Sequence, residues 1–431
     1  MRTFTLLLLL AALPAISTCS STSSPSRRSP DVLGDYVVFA WNDLGMHCLN
    51  PTYDKLVVLP PYNNLWAQVV KRGAAPQIVT AGLTVEYTLE GNSYSYGKRS
   101  FGQFWDNAVK LFGSLLGFTE LPRDIGLAGN GLAGQMDVAG DHFVAEGIPV
   151  TPVYDSGVWD PYQVAVITVK DAQGAVLVTT KAVVPTSDEM HCEKCHGVDP
   201  FQDIMSEHDS EHGTDLAGTT PRLCAECHGS PALGLMEPGS SGIYLSKAIH
   251  GFHADKGASC YDCHPGPQTK CSRSARHYAT DGNCVMCHSG MAQVANSIPS
   301  PRLPWVNEPG CALCHDASGV ATGSLLYRNA KGHGSLYCAS CHGSPHAMIP
   351  SLVAKDNYQA LQYQGSTGAV KSIGSCGVCH DSSRGEDEMQ EFAEKHGGSQ
   401  PERRNGCHIC HTSVTAETAK WPHAFTWKNS N

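Results

Sequence analysis

The chain has 431 residues, 41% of them hydrophobic, with 30 Lys and Arg against 40 Asp and Glu and a formal net charge of −10. That length suffices for two or three domains, and the hydrophobic content excludes both a disordered chain and a membrane bundle. The acidic balance argues against nucleic acid as a partner, because phosphate binding needs clustered Lys and Arg.

Met1-Arg2 opens a short basic region, and an apolar run follows from Leu6 to Leu13. The run is too short to span a bilayer and reads as the core of an export signal over residues 1–19. Ile16-Ser17-Thr18-Cys19 resembles a bacterial lipoprotein signal, in which the cysteine is acylated. Thr18 departs from the Gly, Ala or Ser usual before that cysteine, so plain secretion stays open. The resemblance implies an exported protein, in the periplasm or at the outer membrane and cell surface, with a lipid anchor through Cys19. Residues 20–30 are rich in Ser, with Pro25 and Pro30, and read as a flexible tether.

Residues 31–185 read as a β-rich domain, sandwich-like with one helix, that folds by itself and serves docking or assembly. Tyr36–Trp41 is a continuous apolar run, the mark of a buried strand. Leu83, Val85, Tyr87 and Leu89 alternate with polar residues, the period of a half-buried strand. Two runs, Val164–Val169 and Ala175–Val184, flank Asp171-Ala172-Gln173-Gly174 and predict a hairpin. Phe101, Phe104, Trp105, Ala108, Val109, Phe112, Leu115 and Leu116 recur at helical spacing, with Ser100 as N-cap and Gly117 as stop. Within Trp41-Asn42-Asp43-Leu44-Gly45-Met46-His47-Cys48, His47 and Cys48 are metal-ligand types without a second pair nearby. A disulfide from Cys48 to Cys271 is the alternative use of the thiol.

From residue 186 to 431 the composition shifts to Gly, Pro, Ser, His and Cys, and little regular secondary structure is expected. Of 19 cysteines, sixteen fall in eight Cys-x-x-Cys-His motifs. They are Cys192, Cys195 and His196; Cys224, Cys227 and His228; Cys260, Cys263 and His264; Cys284, Cys287 and His288; Cys311, Cys314 and His315; Cys338, Cys341 and His342; Cys376, Cys379 and His380; and Cys407, Cys410 and His411. Two thiols three residues apart can add to the two vinyl groups of one haem, and the following histidine then meets the iron as proximal ligand. Zinc is the competing reading of paired cysteines, but it gives no reason for a histidine after every second one. The expected cofactors are therefore eight haem c. Motifs start 24 to 38 residues apart, too little chain per haem for a conventional core, so the haems themselves would supply the interior.

Eight low-spin haems need eight more ligands. The expected distal set is His208, His250, His253, His277, His333, His346, His396 and His423, with His212 and His191 in reserve. His208 and His212 share one helical face. His396 lies with Met389, Phe392 and Ala393 on the apolar face of a helix over Glu386–His396. His408 sits inside its own motif loop, and His47 and His142 belong to the β-rich part, so these three are set aside.

The run Gly332-His333-Gly334-Ser335-Leu336-Tyr337-Cys338-Ala339-Ser340-Cys341-His342-Gly343-Ser344-Pro345-His346 and the His250-Gly251-Phe252-His253 stretch resemble the multihaem c-type cytochromes of anaerobic, often metal-reducing bacteria. The Trp41–Cys48 stretch looks like the start of a β-domain found in front of such haem arrays. The resemblance implies an octahaem electron carrier in extracytoplasmic or extracellular electron transfer. Its partners would be other redox proteins, such as cytochromes or a membrane conduit, extracellular acceptors, or copies of itself in a filament. An octahaem oxidoreductase acting on a small nitrogen or sulfur species is the alternative. That enzyme needs an open haem, often marked by Cys-x-x-Cys-Lys, whereas all eight motifs here end in His and no basic cluster would gather an anion.

Overall fold

Tyr36–Asn42 forms strand β1, apolar on both faces because both are covered. A computed structural model describes residues 33–73, 75–277, 283–307, 309, 326–364, 370, 372–373 and 376–380, apart from the side chains of His333 and Cys376. Val38 and Ala40 of β1 point into the main core, while Val37, Phe39 and Trp41 point the other way, onto Tyr337, Tyr363 and Val378.

The other strands are β2 (His47–Cys48), β3 (Leu56–Val57), β4 (Asn63–Lys71), β5 (Gln77–Ile78), β6 (Leu83–Leu89), β7 (Ala133–Gln135), β8 (Asp137–Ala139), β9 (His142–Ile148), β10 (Tyr162–Asp171), β11 (Val176–Ser187) and β12 (Arg222–Leu223). One sheet runs β1-β4-β9-β8 with β5 on β4; a second runs β2-β11-β10-β6-β7. Alternate residues of both sheets fill one core: Val38, Leu65, Val69 and Phe143 from the first meet Val85, Tyr87, Ile167 and Val184 from the second. The N-terminal part is thus β-rich, with two sheets and a few helices. The β10–β11 hairpin closes over four residues, with Asp171 Oδ1 accepting from the backbone N–H groups of Gln173 and Ala175 at 2.9 and 2.8 Å.

The helical stripe departs from the expected register. α1 (Gly102–Ala108) passes into a π-helical turn, Val109–Gly113, before α2 (Ser114–Leu116). The wider turn rotates the residues beyond Ala108 about the helix axis, so Leu111 and Phe112 are buried while Val109 and Leu116 are each 44% exposed. Ser100 does not cap the helix. Phe101 holds that position without a side-chain bond, and Ser100 donates instead to the carbonyl of Pro51. Gly117 ends the helix in the left-handed region at φ 77°.

After β11 the chain makes short helices: α3 (Glu193–His196), α4 (Pro200–His212), α5 (Leu245–His253), α6 (Cys260–Cys263), α7 (Val285–His288), α8 (Met291–Asn296), α9 (Cys338–His342) and α10 (Tyr358–Gln364). This region is not a separate body. β12 pairs in parallel with β3, Leu223 and Ala225 join the cluster around α1, and Gln359 and Tyr363 of α10 bond the backbone of Ala40 and Val38. Residues 31–185, expected to fold alone, share these contacts with the later chain. The outer face of β1 is finished only by residues beyond 326, a pairing that strand periodicity does not reveal. No described helix is long and apolar enough to cross a membrane.

The thiols of Cys48 and Cys271 are not joined, contrary to the disulfide considered from sequence. Arg273 ties these segments instead: it is buried, donates through Nη1 to the carbonyl of Gly45, and pairs through Nε and Nη2 with Asp356 at 2.6 and 2.9 Å.

Candidate metal and cofactor centre

Each described motif closes into one helical turn. The N–H of His196 donates to the carbonyl of Cys192 at 2.9 Å, and the same i to i−4 bond recurs at His228 (3.0 Å), His264 (2.8 Å) and His288 (2.9 Å). Residues i, i+3 and i+4 of a helical turn share a face, so the turn gathers both thiols and the imidazole on one side. α3, α6, α7 and α9 are such turns, and Cys224–Glu226 and Cys376–Val378 are their tighter 3-10 counterparts.

Four of these imidazoles face a second one. Ring centroids are 6.4 Å apart for His196 and His253, 6.3 Å for His208 and His228, 6.1 Å for His250 and His264, and 6.2 Å for His288 and His346. A metal ion bonded to one nitrogen of each ring at about 2 Å puts the centroids roughly 6.2 Å apart. All four pairs therefore have the spacing of two imidazoles on one axial metal.

The outward nitrogens support the same geometry. His253 Nδ1 donates to the carbonyl of Ile249 (2.8 Å), His250 Nδ1 to Ser246 (2.6 Å), His346 Nδ1 to Leu44 (2.8 Å) and His228 Nδ1 to Ile243 (3.1 Å). A carbonyl can only accept, so the proton sits on Nδ1 and the lone pair on Nε2. His208 Nδ1 lies 2.9 Å from Thr214 Oγ1, and His196 Nδ1 donates to Asp203 Oδ2 at 3.0 Å, with Glu207 3.7 Å away. A ligating histidine is usually oriented by such a bond from its other nitrogen. Burial, then neighbouring histidines, lowers His264 and His288 to about 4, which keeps both rings in the neutral form that binds metal.

Shared elements join the pairs into a row. α4 carries His208, opposite His228, and Asp203, bonded to His196. α5 carries His253, opposite His196, and His250, opposite His264, three residues apart on one face. The first and third motifs also clasp directly, through His191 N–H to the Asp262 carbonyl at 2.9 Å and Lys194 to Asp262 at 2.5 Å. His264 and His250 also stand close enough to His288 to help lower its pKa, after burial, His346 and Arg302. The motifs are thus arranged in the order Cys224, Cys192, Cys260, Cys284. The Cys376 motif meets the β-rich part, where Arg72 donates to the carbonyls of Val378 and Gly377 at 2.9 and 3.0 Å.

Among the described residues the thiols do not converge as a zinc site requires. Among the described residues, the one group of three or more Cys, His, Asp or Glu side chains with ligand atoms converging within 4.8 Å is His196, Asp203 and Glu207, without a thiol. The reserve histidines take other roles. His191 bonds Glu193 and Glu189 at 3.3 Å through its two nitrogens. Burial alone would lower its pKa, but these carboxylates outweigh it and hold the ring raised. His212 packs edge-on against His208 with its side chain 60% exposed. His277, a member of the expected distal set, has its Nδ1 3.3 Å from Ser274 Oγ. His142 stacks on Trp66 in the β-rich part. Cys311, Cys314, His315, Cys407, Cys410, His411, His396, His423 and the Glu386–His396 helix lie outside the described residues, as do Cys19 and the side chains of Cys376 and His333.

Sequence reasoning missed the groups that orient the rings. Most are backbone carbonyls, which leave no residue signature; two sit one turn back on the helix of their own histidine. No family model, no curated protein and no solved structure matches this chain.

Proposed function

We propose that this chain is an electron-transfer protein carrying eight covalently bound c-type haems, each attached through its two motif cysteines. The motif histidine is the proximal ligand and a second histidine the distal one. The observation that carries the reading is the opposition of four motif imidazoles to a second imidazole at 6.1 to 6.4 Å, most with the outward nitrogen tied down. Bound haem would supply one-electron iron chemistry, and at the four opposed pairs two imidazoles would hold the iron and leave no place there for a substrate. The chain's own contribution is ligand identity, ring orientation and the shared helices that keep neighbouring sites close. This favours a carrier over the octahaem oxidoreductase. The β-rich part is then a sandwich that packs on the haem-binding region. Export, anchoring through Cys19 in the outer membrane or periplasm, and exchange with other redox proteins, extracellular acceptors or further copies complete the proposal.

The test is spectroscopic. Purified protein should contain eight haems per chain that resist acid–acetone extraction, with only low-spin ferric signals in electron paramagnetic resonance. His253→Ala should open one iron, give one high-spin haem and allow carbon monoxide to bind. A stoichiometric high-spin haem in the unaltered protein would favour the oxidoreductase, and extractable or absent haem would end the proposal.

A further inference from the structure

The stretch from Asn42 to Cys48 belongs to the β-rich part, yet it meets a histidine some 300 residues away in sequence. Asn42 Oδ1 accepts from the N–H groups of Leu44 (3.1 Å) and Gly45 (2.6 Å), folding the chain into a tight turn just after β1. The turn is held from behind. Asn42 Nδ2 donates to Asn63 Oδ1 (2.7 Å) and to the Asn64 carbonyl (2.8 Å). Asp43 pairs with His47 Nε2 at 2.7 Å and accepts from Asn64 Nδ2 at 2.8 Å. Asn42, Asp43, His47, Asn63 and Asn64 are all buried. A buried network with its groups paired is rigid, because any displacement leaves a polar group without a partner.

The apex of this turn faces His346. The carbonyl of Leu44 accepts from His346 Nδ1 at 2.8 Å and from the His346 backbone N–H at 3.4 Å. Gly45 has φ +83°, and a Cβ there would fall 2.9 Å from His346 N, 3.2 Å from Ser344 Cβ and 3.3 Å from Ala347 N. Arg273 closes the other side, donating its backbone N–H to the His346 carbonyl at 2.8 Å and its guanidinium to the Gly45 carbonyl. The backbone of His346 and its outward nitrogen are thus set by one turn and one arginine.

We propose that the Asn42–Cys48 turn is a positioning element for the metal centre formed by His288 and His346, with the Leu44 carbonyl and Gly45 fixing the proton of His346 on Nδ1 and aiming Nε2 at the iron. This rests on the haem reading of that pair. It gives the buried Asp43 and His47 a role other than metal binding: they hold the turn that holds the ligand. It also makes the β-rich part a contributor to one haem site.

The full-length haem-loaded protein tests this with Gly45→Ala. The added methyl must push the His346 backbone away, so about one haem in eight should become high-spin and bind carbon monoxide, with external imidazole restoring the low-spin signal. His346→Ala should open one haem as well, and the double variant should still open only one. Two open haems in the double variant would place the two effects at different sites and overturn the proposal. So would a Gly45→Ala protein with an unchanged spin state. Should Gly45→Ala fail to accumulate, Asp43→Asn removes the charge paired with His47 at nearly constant shape. It should shift the low-spin signal of the same single haem, and a spectrum identical to the unaltered protein would overturn the proposal. If His346→Ala itself opens no iron, the haem reading of the pair fails, whatever Gly45→Ala does.

Discussion

At the scale of single residues, the ring planes separate the four pairs into two kinds. His250 with His264 and His288 with His346 lie within 26° and 22° of parallel, whereas His196 with His253 and His208 with His228 are crossed at 77° and 84°. Parallel imidazoles overlap unequally with the two iron π orbitals and split them. Crossed imidazoles treat both alike and leave them nearly degenerate. Low-temperature electron paramagnetic resonance of the oxidised protein should therefore show two classes of low-spin signal, one rhombic and one strongly anisotropic. A single rhombic class would contradict the crossed pairs. The orienting bonds explain how such angles persist: each Nδ1 contact fixes one ring rotation, and the partners differ from pair to pair.

At the scale of elements, α5 faces two motif histidines at once. Its histidines reach His264 and His196, and its flank packs on α8 and the cluster of Tyr244, Val294 and Ile298. Gly251 lies between them, and a Cβ there would meet only Ala295 Cβ, at 3.7 Å, an ordinary contact. Gly251→Ala should thus be accepted and should stabilise the helix by roughly 0.5–1 kcal/mol, read as a higher melting temperature with unchanged spin state. Gly251→Pro removes a helical bond and clashes one turn back, at a cost of about 3 kcal/mol. It should release both histidines and give two high-spin haems instead of one. A Gly251→Pro protein with every haem still low-spin would show that the two ligands do not depend on one helix.

At the scale of the whole molecule, the β-rich part and the motif-bearing part share their interior. Val37, Phe39, Trp41 and Val70 are buried against Tyr327, Tyr337, Tyr363 and Val378. Each such side chain contributes roughly 1.5–3 kcal/mol when taken from water. Exposing them together would leave an apolar face on the first sheet, flanked by the backbone groups of Val38 and Ala40 that now bond Tyr363 and Gln359. Residues 31–185 expressed alone should accordingly bind a hydrophobic dye and aggregate, while the full chain does neither. A soluble, monomeric, cooperatively melting fragment would show that the first sheet can stand without its cover.

The motif sites were legible because their chemistry is local. Two thiols and an imidazole at i, i+3 and i+4 meet through one helical turn, whatever the rest of the chain does. The strands of the β-rich part were legible for the same reason, since Val85 and Tyr87 bury by period alone. The pairing of rings was not. His208 and His250 precede their partners in the chain, while His253 and His346 come after theirs, and a histidine's lone pair carries no mark of where it will point. The sequence by itself determined the Cys-x-x-Cys-His turns and the pool of histidines that could face them. Only the tertiary structure decided that α5 sets its two histidines against two different motif histidines and that the Leu44 carbonyl orients His346. Those relations are made by packing between distant segments, and no local period or spacing encodes them.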